Sequence, residues 1–432
     1  MSIEKIPVDI LIVGAGPAGL AAAISAREAG IQSIVVLERE DFQGGILQQC
    51  IHNGFGLHRF KIELTGPEYA QRDVDMAKEL DLDIRTGVTV LEVSKKRLVT
   101  AISKEGGLQL FEAGAVILAM GCRERPRGAL AIPGTRGAGI YSAGTAQRFV
   151  NLEGYMPGRR VVILGSGDIG LIMARRMTLQ GAEVLACVEL MPYSSGLNRN
   201  IVQCLQDYDI PLLLSHTVTD IQGRERVSSV TVSQVDENRK PIPGTEQVFE
   251  CDTLLLSVGL IPENELSMGA GVEISPATSG AIVDNTLQTN IPGVFACGNV
   301  LHVHDLVDHV SEESSVAGRA AAAYVQGKAW EGTSIPVTDG AGVRGTVPQR
   351  LNLPDAPIDF SISLMFRPVQ VFRNHYLVVK ADDKVLSCRK SMILTPGEMA
   401  SAAMSSQMLE LCRGAKAVSM EISSQKLPVF TT

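Results

Sequence analysis

Short apolar runs that lead into glycine-rich turns are the main pattern along this chain. Residues 8–13 (VDILIV) and 160–164 (RVVIL) are apolar and β-branched, which is typical of strands buried in a parallel sheet. Each run is followed by a Gly-x-Gly-x-x-Gly segment, a helical stretch and a second apolar strand, at residues 33–37 and 183–188. The pattern therefore predicts two βαβ units.

Each predicted unit ends in an acidic residue at the same place. Glu38 and Glu189 both follow the first glycine of their unit by 24 positions. Two such copies, each bracketed by strand and helix, favour dinucleotide-binding fingerprints over ordinary glycine-rich turns. The fingerprint residues are Gly14, Gly16, Pro17, Ala18 and Gly19 in the first copy, and Gly165, Gly167, Asp168, Ile169 and Gly170 in the second.

The chemistry of a fingerprint follows from its residue types. The first glycine permits a tight turn, the second lets the backbone approach a pyrophosphate, and the third allows close packing of helix and strand. The phosphates then meet N–H groups at the helix N-terminus, and the glutamate accepts hydrogen bonds from ribose hydroxyls. Glu189 would repel a 2′-phosphate, so NADH is predicted. NADPH stays open as the less favoured alternative, because Arg199 lies beyond Glu189 and the loop between them could still rearrange.

Composition narrows the class of protein. The formal net charge is −8 and the isoelectric point is near 5.5, which argues against nucleic-acid binding. No run of eighteen apolar residues is present, so no transmembrane segment is predicted. The first five residues lead directly into a strand, and the eight cysteines are scattered without a CxxC pair. We therefore expect no signal peptide and a cytoplasmic location.

With these motifs in this order, residues 6–328 resemble the two-dinucleotide-domain flavoprotein family, which includes glutathione- and thioredoxin-reductase-like enzymes. The late segment 289–299 (TNIPGVFACGN), followed by a predicted helix at 311–324, contributes to the resemblance. It implies an α/β fold with two Rossmann-like domains, the NAD domain being inserted in the FAD domain. The implied boundaries are 1–125 with 270–330 for the FAD domain, and 126–269 for the NAD(P)H domain.

The resemblance also implies the cofactor-binding residues. FAD would be held by the first fingerprint and by residues of five further segments, and the nicotinamide nucleotide by the second fingerprint, Glu189 and Gly259. One residue departs from the family, which usually has Asp where this chain has Asn299; an amide can still accept a hydrogen bond from a ribityl hydroxyl. The further FAD residues are Glu38, Arg39, Gly44, Gly45, Ile46, Val90, Ala119, Gly121, Gly298 and Asn299.

A second departure concerns function. Disulfide reductases of the family need two cysteines beside the flavin, either just after a Gly-Gly pair or as CxxC before the second fingerprint. The first place contains Cys50 as its single cysteine, and the second has Ser142 and Thr145 instead of thiols. The sequence therefore predicts an oxidoreductase that does not reduce disulfides through its own dithiol.

Two segments, 44–60 and 298–314, resemble a narrower group: FAD/NAD oxidoreductases associated with anaerobic glycerol-3-phosphate dehydrogenases, related to flavin subunits of opine and proline dehydrogenases and hydrogen cyanide synthase. This resemblance implies hydride transfer between NAD(H) and FAD, and electron exchange with a partner redox or dehydrogenase subunit. No local cysteine spacing in this chain fits an iron–sulfur cluster, so such a cluster would belong to the partner. The resemblance implies that the partner could be glycerol-3-phosphate-linked.

The C-terminal residues, 340–432, have a different pattern. Stretches 360–366, 376–381 and 385–390 alternate apolar and polar residues, which predicts a small antiparallel β domain. In the reductases this place holds a dimerisation domain. The docking of a second, different protein and the formation of a homo-oligomer are both compatible with the sequence.

Four residues are candidate catalytic groups beside the flavin: Cys50, His52, His302 and His304. The last two lie in an HxHD stretch that could ligate a metal, but no metal is predicted. Three alternatives stay open. The chain could be an NADH oxidase or peroxidase that uses Cys50, a non-catalytic nucleotide-sensing protein in which FAD is structural, or a dehydrogenase whose own substrate faces residues 302–309.

Overall fold

A computed structural model describes residues 4–329 and 332–430, so residues 1–3 and the ends of the predicted domains at 330 and 432 lie outside it. The chain forms two compact units, Met1–Cys122 with Pro262–Thr432, and Arg123–Ile261. The second unit is inserted in the first, and the predicted fold class is confirmed. The connections include the short strands Cys122–Glu124 and Leu260–Pro262.

Helices follow the apolar strands in both units. The helix predicted at 311–324 begins four residues earlier, because the chain leaves an extended backbone at Leu306 and the Asp308 side chain is buried in the first turn. None of the helices in the described ranges has an apolar stretch long enough to cross a membrane. The helices are α1 (Pro17–Glu28), α2 (Gly66–Glu79), α3 (Ala143–Arg148), α4 (Asp168–Leu179), α5 (Asn198–Cys204), α6 (Glu265–Ala270), α7 (Val307–Val325) and α8 (Ser406–Leu411).

The main sheet of the first unit is built on the first apolar run. Residues Ile10, Leu11 and Ile12 have no exposed surface, since the strand is paired in parallel on both sides. One of its two neighbours, Gly107–Leu118, ends directly before Ala119. In spatial order the strands are Asp83–Arg85, Ile34–Leu37, Lys5–Val13, Gly107–Leu118, Leu98–Ser103 and Val88–Val93, with Val294–Ala296 also paired to Gly107–Leu118; a small separate sheet pairs Asn53–Phe55 with Leu64–Thr65.

The second unit repeats the arrangement around its own apolar run. Val161, Val162 and Ile163 are fully buried in a parallel sheet. The strands, in spatial order, are Ile140–Ser142, Thr253–Leu256, Arg160–Leu164, Glu183–Glu189 and Leu212–Leu214; an antiparallel sheet of His216–Gln222, Ser229–Gln234 and Gln247–Glu250 accompanies them.

The C-terminal part of the first unit has the predicted β structure and its own apolar core. It departs from a purely antiparallel arrangement at one pair, because Val418–Ser423 runs parallel to Gly332–Asp339. One sheet has the order Arg350–Pro354, Gly332–Asp339, Val418–Ser423, Phe372–Ala381 and Lys384–Leu394; the other has the order Val343–Val347, Ile362–Pro368 and Ala400–Met404.

Close packing of α1 on α7 brings the two helices of the first unit together. A Cβ on Gly318 would lie 2.2 Å from the carbonyl oxygen of Ala22. No residue larger than glycine fits there without a shift of the backbone. The contact fixes α7, and with it the segment before α7, beside the first fingerprint.

Candidate functional site

The first glycine of fingerprint one makes the turn that the sequence predicts. Gly14 has φ +104°, its N–H donates to the carbonyl of Leu37 at 2.8 Å, and a Cβ would lie 2.5 Å from the carbonyl oxygen of Ala119. A side chain here would therefore be both strained and blocked. This contact places Ala119 directly beside the fingerprint.

The second and third glycines differ in what surrounds them. A Cβ on Gly19 would lie 1.8 Å from the Gly14 carbonyl oxygen, so Gly19 is required for packing. A Cβ on Gly16 would meet only the Cα of Gly45, at 3.9 Å. The protein itself therefore leaves room at Gly16, on the side where a pyrophosphate would approach.

Glu38 is buried at the end of its strand and is held by the turn. Its Oε2 accepts the backbone N–H of Ala15 at 2.8 Å, and its Oε1 accepts that of Glu40 at 2.9 Å. These bonds fix the carboxylate against the residue that follows the first glycine.

The second fingerprint, in the second unit, reproduces this hydrogen-bond set. Gly165 has φ +98° and donates to the carbonyl of Val188 at 2.7 Å. Glu189 is buried, and its Oε2 accepts the backbone N–H of Ser166 at 3.0 Å. Its Oε1 accepts the N–H of Met191 at 2.9 Å. The same set of hydrogen bonds thus occurs once in each unit.

Two side chains distinguish the second copy from the first. Ser166 adds a hydroxyl bond to Glu189 Oε2 at 2.5 Å. Asp168 stands where the first copy has Pro17, and its Oδ1 accepts from the Leu197 N–H at 2.9 Å and from the Asn200 side chain at 2.7 Å. Asp168 therefore holds the loop before α5 against the start of α4.

Both helix N-termini fit a dinucleotide pyrophosphate. The residues before α1 and α4, Gly16 and Gly167, have extended backbones, and neither contributes a side-chain cap. First-turn N–H groups of a helix lack intrahelical partners and favour an anion. Glycine-rich turns at two such helix starts match what FAD and a nicotinamide nucleotide require; in the second, the Gly170 N–H already donates to Ser257 Oγ at 3.0 Å.

Other predicted FAD residues gather around the first fingerprint. The Gly44 N–H donates to the Ala15 carbonyl at 2.8 Å, and a Cβ on Gly45 would lie 3.0 Å from the Gly16 Cα. A Cβ on Gly298 would lie 2.7 Å from that of Ala18, so the late segment reaches the same turn.

The remaining predicted cofactor residues have fewer constraints. Gly121 has φ +74° and Gly259 has φ +102°, each just beyond the end of a strand. Ile46 is 61% exposed, Arg39 is exposed, and Val90 is half-buried in its antiparallel strand. Ile46 and Val90 have no polar side-chain atoms, and in the described part of the chain the Arg39 side chain donates no hydrogen bond to the first fingerprint.

Asn299 is held by both ends of its amide. Oδ1 accepts the His304 backbone N–H at 3.0 Å, and Nδ2 donates to Cys122 Sγ at 3.5 Å. An ionised aspartate has no N–H to offer Cys122. The amide that departs from the family pattern therefore fits its local partners, a relationship that sequence spacing does not reveal.

His302 and His304 meet a residue that sequence reasoning missed, Glu313 on α7. The side chains of the three are 4%, 1% and 7% exposed. His302 Nε2 lies 2.5 Å from Glu313 Oε2, and His304 Nε2 lies 3.2 Å from Oε1. Oε1 also accepts the N–H of Gly298 at 2.8 Å. We call these three side chains the Glu313 cluster.

The electrostatics of the Glu313 cluster favour an ionised carboxylate. Burial by itself would raise the pKa of Glu313, but the charges and hydrogen bonds of His302 and His304 outweigh it and hold that pKa well below its usual range. Burial is the largest influence on His304 and lowers its pKa. One nitrogen of each histidine and one carboxylate oxygen of Glu313 lie within 4.8 Å of one another, as the ligand atoms of a metal could. The distances from the histidines to Glu313 are, however, those of direct hydrogen bonds.

Cys50 and His52 lie on the loop after Gly45. Cys50 is half-buried, its Sγ donates to the Ile46 carbonyl at 3.4 Å, and burial raises the pKa of its thiol to about 12. The His52 Nδ1 lies 3.0 Å from the Asn53 carbonyl oxygen. The environment of Cys50 thus disfavours the thiolate that redox chemistry would need.

Hydroxyl groups stand where related enzymes have a dithiol. Ser142 Oγ and Thr145 Oγ1 are 2.9 Å apart at the start of α3. All eight cysteines are free. The two side chains at this place are therefore hydrogen-bonded hydroxyls, which cannot undergo thiol chemistry.

Charged side chains tie the start of α7 and the segment before it to their surroundings within the first unit. Asp308 accepts three backbone N–H groups, from Gly56, His58 and Arg59, at 2.7–3.2 Å. Arg367 of the C-terminal domain donates to Asp305 at 2.5 Å and to the Val303 carbonyl at 3.0 Å. Residues 303–308, which include the start of α7, are thus held from both the loop at 56–59 and the C-terminal β domain.

Comparisons with known proteins agree with this geometry. The family model described as pyridine nucleotide-disulphide oxidoreductase matches residues 8–327. One subunit of opine oxidase from Agrobacterium tumefaciens is 24% identical over 335 residues, and one subunit of alkyl hydroperoxide reductase from Pseudomonas putida is 31% identical over 307. The matches cover 73% and 68% of this chain, but only 64% and 54% of those relatives.

A solved structure gives the same picture. Thioredoxin reductase from T. acidophilum aligns with a TM-score of 0.59 and 27% identity, covering 74% of this chain and 98% of that one. The family match ends at residue 327, so the C-terminal β domain lies outside it.

Proposed function

Because the chain belongs to the pyridine nucleotide-disulphide oxidoreductase family, we propose that it moves a hydride between NAD(H) and FAD and exchanges electrons with a partner redox or dehydrogenase subunit. One observation supports this above all. The turn–carboxylate set of Gly14, Ala15 and Glu38 recurs as Gly165, Ser166 and Glu189, one set in each unit. Hydride exchange between two dinucleotides requires two nucleotide sites, and this repeated arrangement supports one in each unit.

The residues have distinct tasks in this proposal. The first unit would hold FAD at the N-terminus of α1, with Glu38 facing the adenosine ribose and the Gly298–Asn299 turn closing the site. The second unit would hold the nicotinamide nucleotide at the N-terminus of α4. Bound FAD supplies the hydride-accepting chemistry; the protein aligns the cofactors and sets their electrostatic field.

The charge of Glu189 supports NADH over NADPH. The carboxylate is fixed by three hydrogen bonds, from Ser166 N–H, Ser166 Oγ and Met191 N–H, so it cannot easily turn away from a bound ribose. A 2′-phosphate brought to this position would meet a held negative charge.

The redox group that exchanges electrons with the flavin is proposed to lie on another polypeptide. Ser142 and Thr145 exclude an internal dithiol relay, and the pKa of Cys50 weighs against a peroxidase thiol. Two of the relatives are named as subunits, one of an opine oxidase and one of an alkyl hydroperoxide reductase. The same proposal includes a partner that contains an iron–sulfur cluster and is linked to glycerol 3-phosphate. It also includes docking or dimerisation through the C-terminal domain, and a cytoplasmic location.

Glycine variants test the assignment of the first site. Gly16→Ala adds a methyl group that meets no protein atom closer than 3.9 Å, so the apoprotein should fold normally. The methyl would block the pyrophosphate, and we expect FAD binding to be lost. FAD binding at wild-type affinity in Gly16→Ala would refute the assignment. Gly128→Ala, where nothing lies within 4 Å, is the control.

A further inference from the structure

The Glu313 cluster is a buried charged group that the proposed hydride transfer does not itself use. Glu313 lies on α7, whereas its partners belong to the preceding segment: the Gly298 N–H, His302 and His304. A single carboxylate thus holds three points of a seven-residue stretch. Asn299 lies within that stretch, and its Oδ1 is bonded to the backbone of His304.

We propose that Glu313, with His302 and His304 as its partners, is a positioning residue that fixes the Gly298–Asn299 turn and lowers the midpoint potential of the flavin bound in the first unit. This inference rests on the proposed binding of FAD at the first fingerprint. It assigns Glu313 a role through the turn and through its charge, rather than through contact with substrate.

The positional part of the argument follows from the hydrogen bonds. The Gly298 backbone has φ +71°, and a Cβ there would lie 2.7 Å from Ala18, so the turn lies tightly against the first fingerprint. Its N–H is bonded to Glu313 and therefore cannot rotate independently of α7. The orientation of the Asn299 amide is fixed in turn through His304 and Cys122.

The electrostatic part follows from burial. A carboxylate with 7% of its side chain exposed is poorly screened by water. Reduction of a flavin adds negative charge, so a nearby ionised carboxylate disfavours the reduced form. A donor on His302 offsets part of that charge. Glu313 therefore lowers the potential, and His302 raises it.

Substitutions of Glu313 and of His302 should shift the midpoint potential of the flavin in opposite directions. In the FAD-loaded full chain, Glu313→Gln keeps the size and one acceptor oxygen but removes the charge, so the midpoint potential should rise. His302→Leu leaves the carboxylate with one donor fewer, so the potential should fall. A tenfold change in the ratio of affinities for reduced and oxidised FAD corresponds to about 30 mV for a two-electron couple.

The measurement is an anaerobic redox titration against an indicator dye, with Glu312→Gln as control because Glu312 is the exposed neighbour on the same helix. Opposite shifts in the two variants, with none in the control, support the proposal. Equal potentials in all proteins, shifts of the same sign, or stoichiometric metal that is lost in Glu313→Gln overturn it. If Glu313→Gln does not fold, the fall in His302→Leu still tests the claim. A wild-type chain that binds no FAD would instead refute the proposed function.

Discussion

The backbone N–H of Ser166 donates to the carboxylate of Glu189 at 3.0 Å, and Ala15 and Glu38 form the same bond in the first unit at 2.8 Å. The bond joins the first turn of each fingerprint to the end of its second strand. It orients a negative charge toward the place where an adenosine ribose would bind.

The nucleotide preference depends on this charge. Glu189→Gln keeps the shape of the side chain and removes the repulsion of a 2′-phosphate, so affinity for NADPH relative to NADH should rise roughly fivefold, about 1 kcal/mol. Titration calorimetry with both nucleotides measures the ratio. Glu183→Gln, an exposed carboxylate on the same strand, should leave it unchanged. An unaltered ratio in Glu189→Gln would show that Glu189 does not select the nucleotide.

One added methyl group should block either proposed nucleotide site without affecting the other. A Cβ on Gly167 would lie 3.4 Å from Ser257 Oγ, an ordinary contact, so Gly167→Ala should fold. We expect it to retain FAD and lose NADH binding, whereas Gly16→Ala loses FAD. Flavin content and NADH affinity, measured on both proteins, check this. Loss of FAD in Gly167→Ala at unchanged thermal stability would contradict the assignment of the second unit.

Cys50 should react slowly with alkylating agents. Burial raises the pKa of its thiol to about 12, so roughly one molecule in 10,000 is a thiolate at pH 8. The rate should keep increasing as the pH rises above about 10, where an ordinary thiol is almost fully ionised and its rate has levelled off. Peptide mapping after iodoacetamide labelling measures it. Any consumption of NADH with peroxide by the isolated chain should be the same in Cys50→Ser; its loss in that variant would restore the peroxidase alternative.

A buried ion pair should hold the loop beside α7. Arg59 contacts Asp73 at 2.7 Å, and the Asp73 side chain has no exposed surface. Arg59→Met leaves a buried carboxylate without its partner, and the free energy of unfolding should fall by about 3–5 kcal/mol. Lys5→Met removes the exposed pair with Glu112 and should cost less than about 1 kcal/mol. Urea unfolding compares them, and equal losses would show that the Arg59 pair does not hold the loop.

Local patterns predicted the fingerprints, because strand, turn, helix and acidic residue follow one another within about 25 residues. The Glu313 cluster could not be predicted in the same way. Glu312 and Glu313 are adjacent and chemically identical, and only the packing of α7 decides which of them faces the segment before the helix. Asp308 likewise finds its partners about 250 residues away in the sequence. Such pairs depend on the tertiary fold and leave no periodic trace.

The central claim is that one chain joins a flavin to a nicotinamide nucleotide. Its most direct test is anaerobic titration of the purified FAD-loaded protein with NADH and with NADPH, followed at the flavin absorbance band. We predict stoichiometric bleaching by NADH at lower concentrations than by NADPH. A flavin that stays oxidised with both nucleotides would contradict the claim.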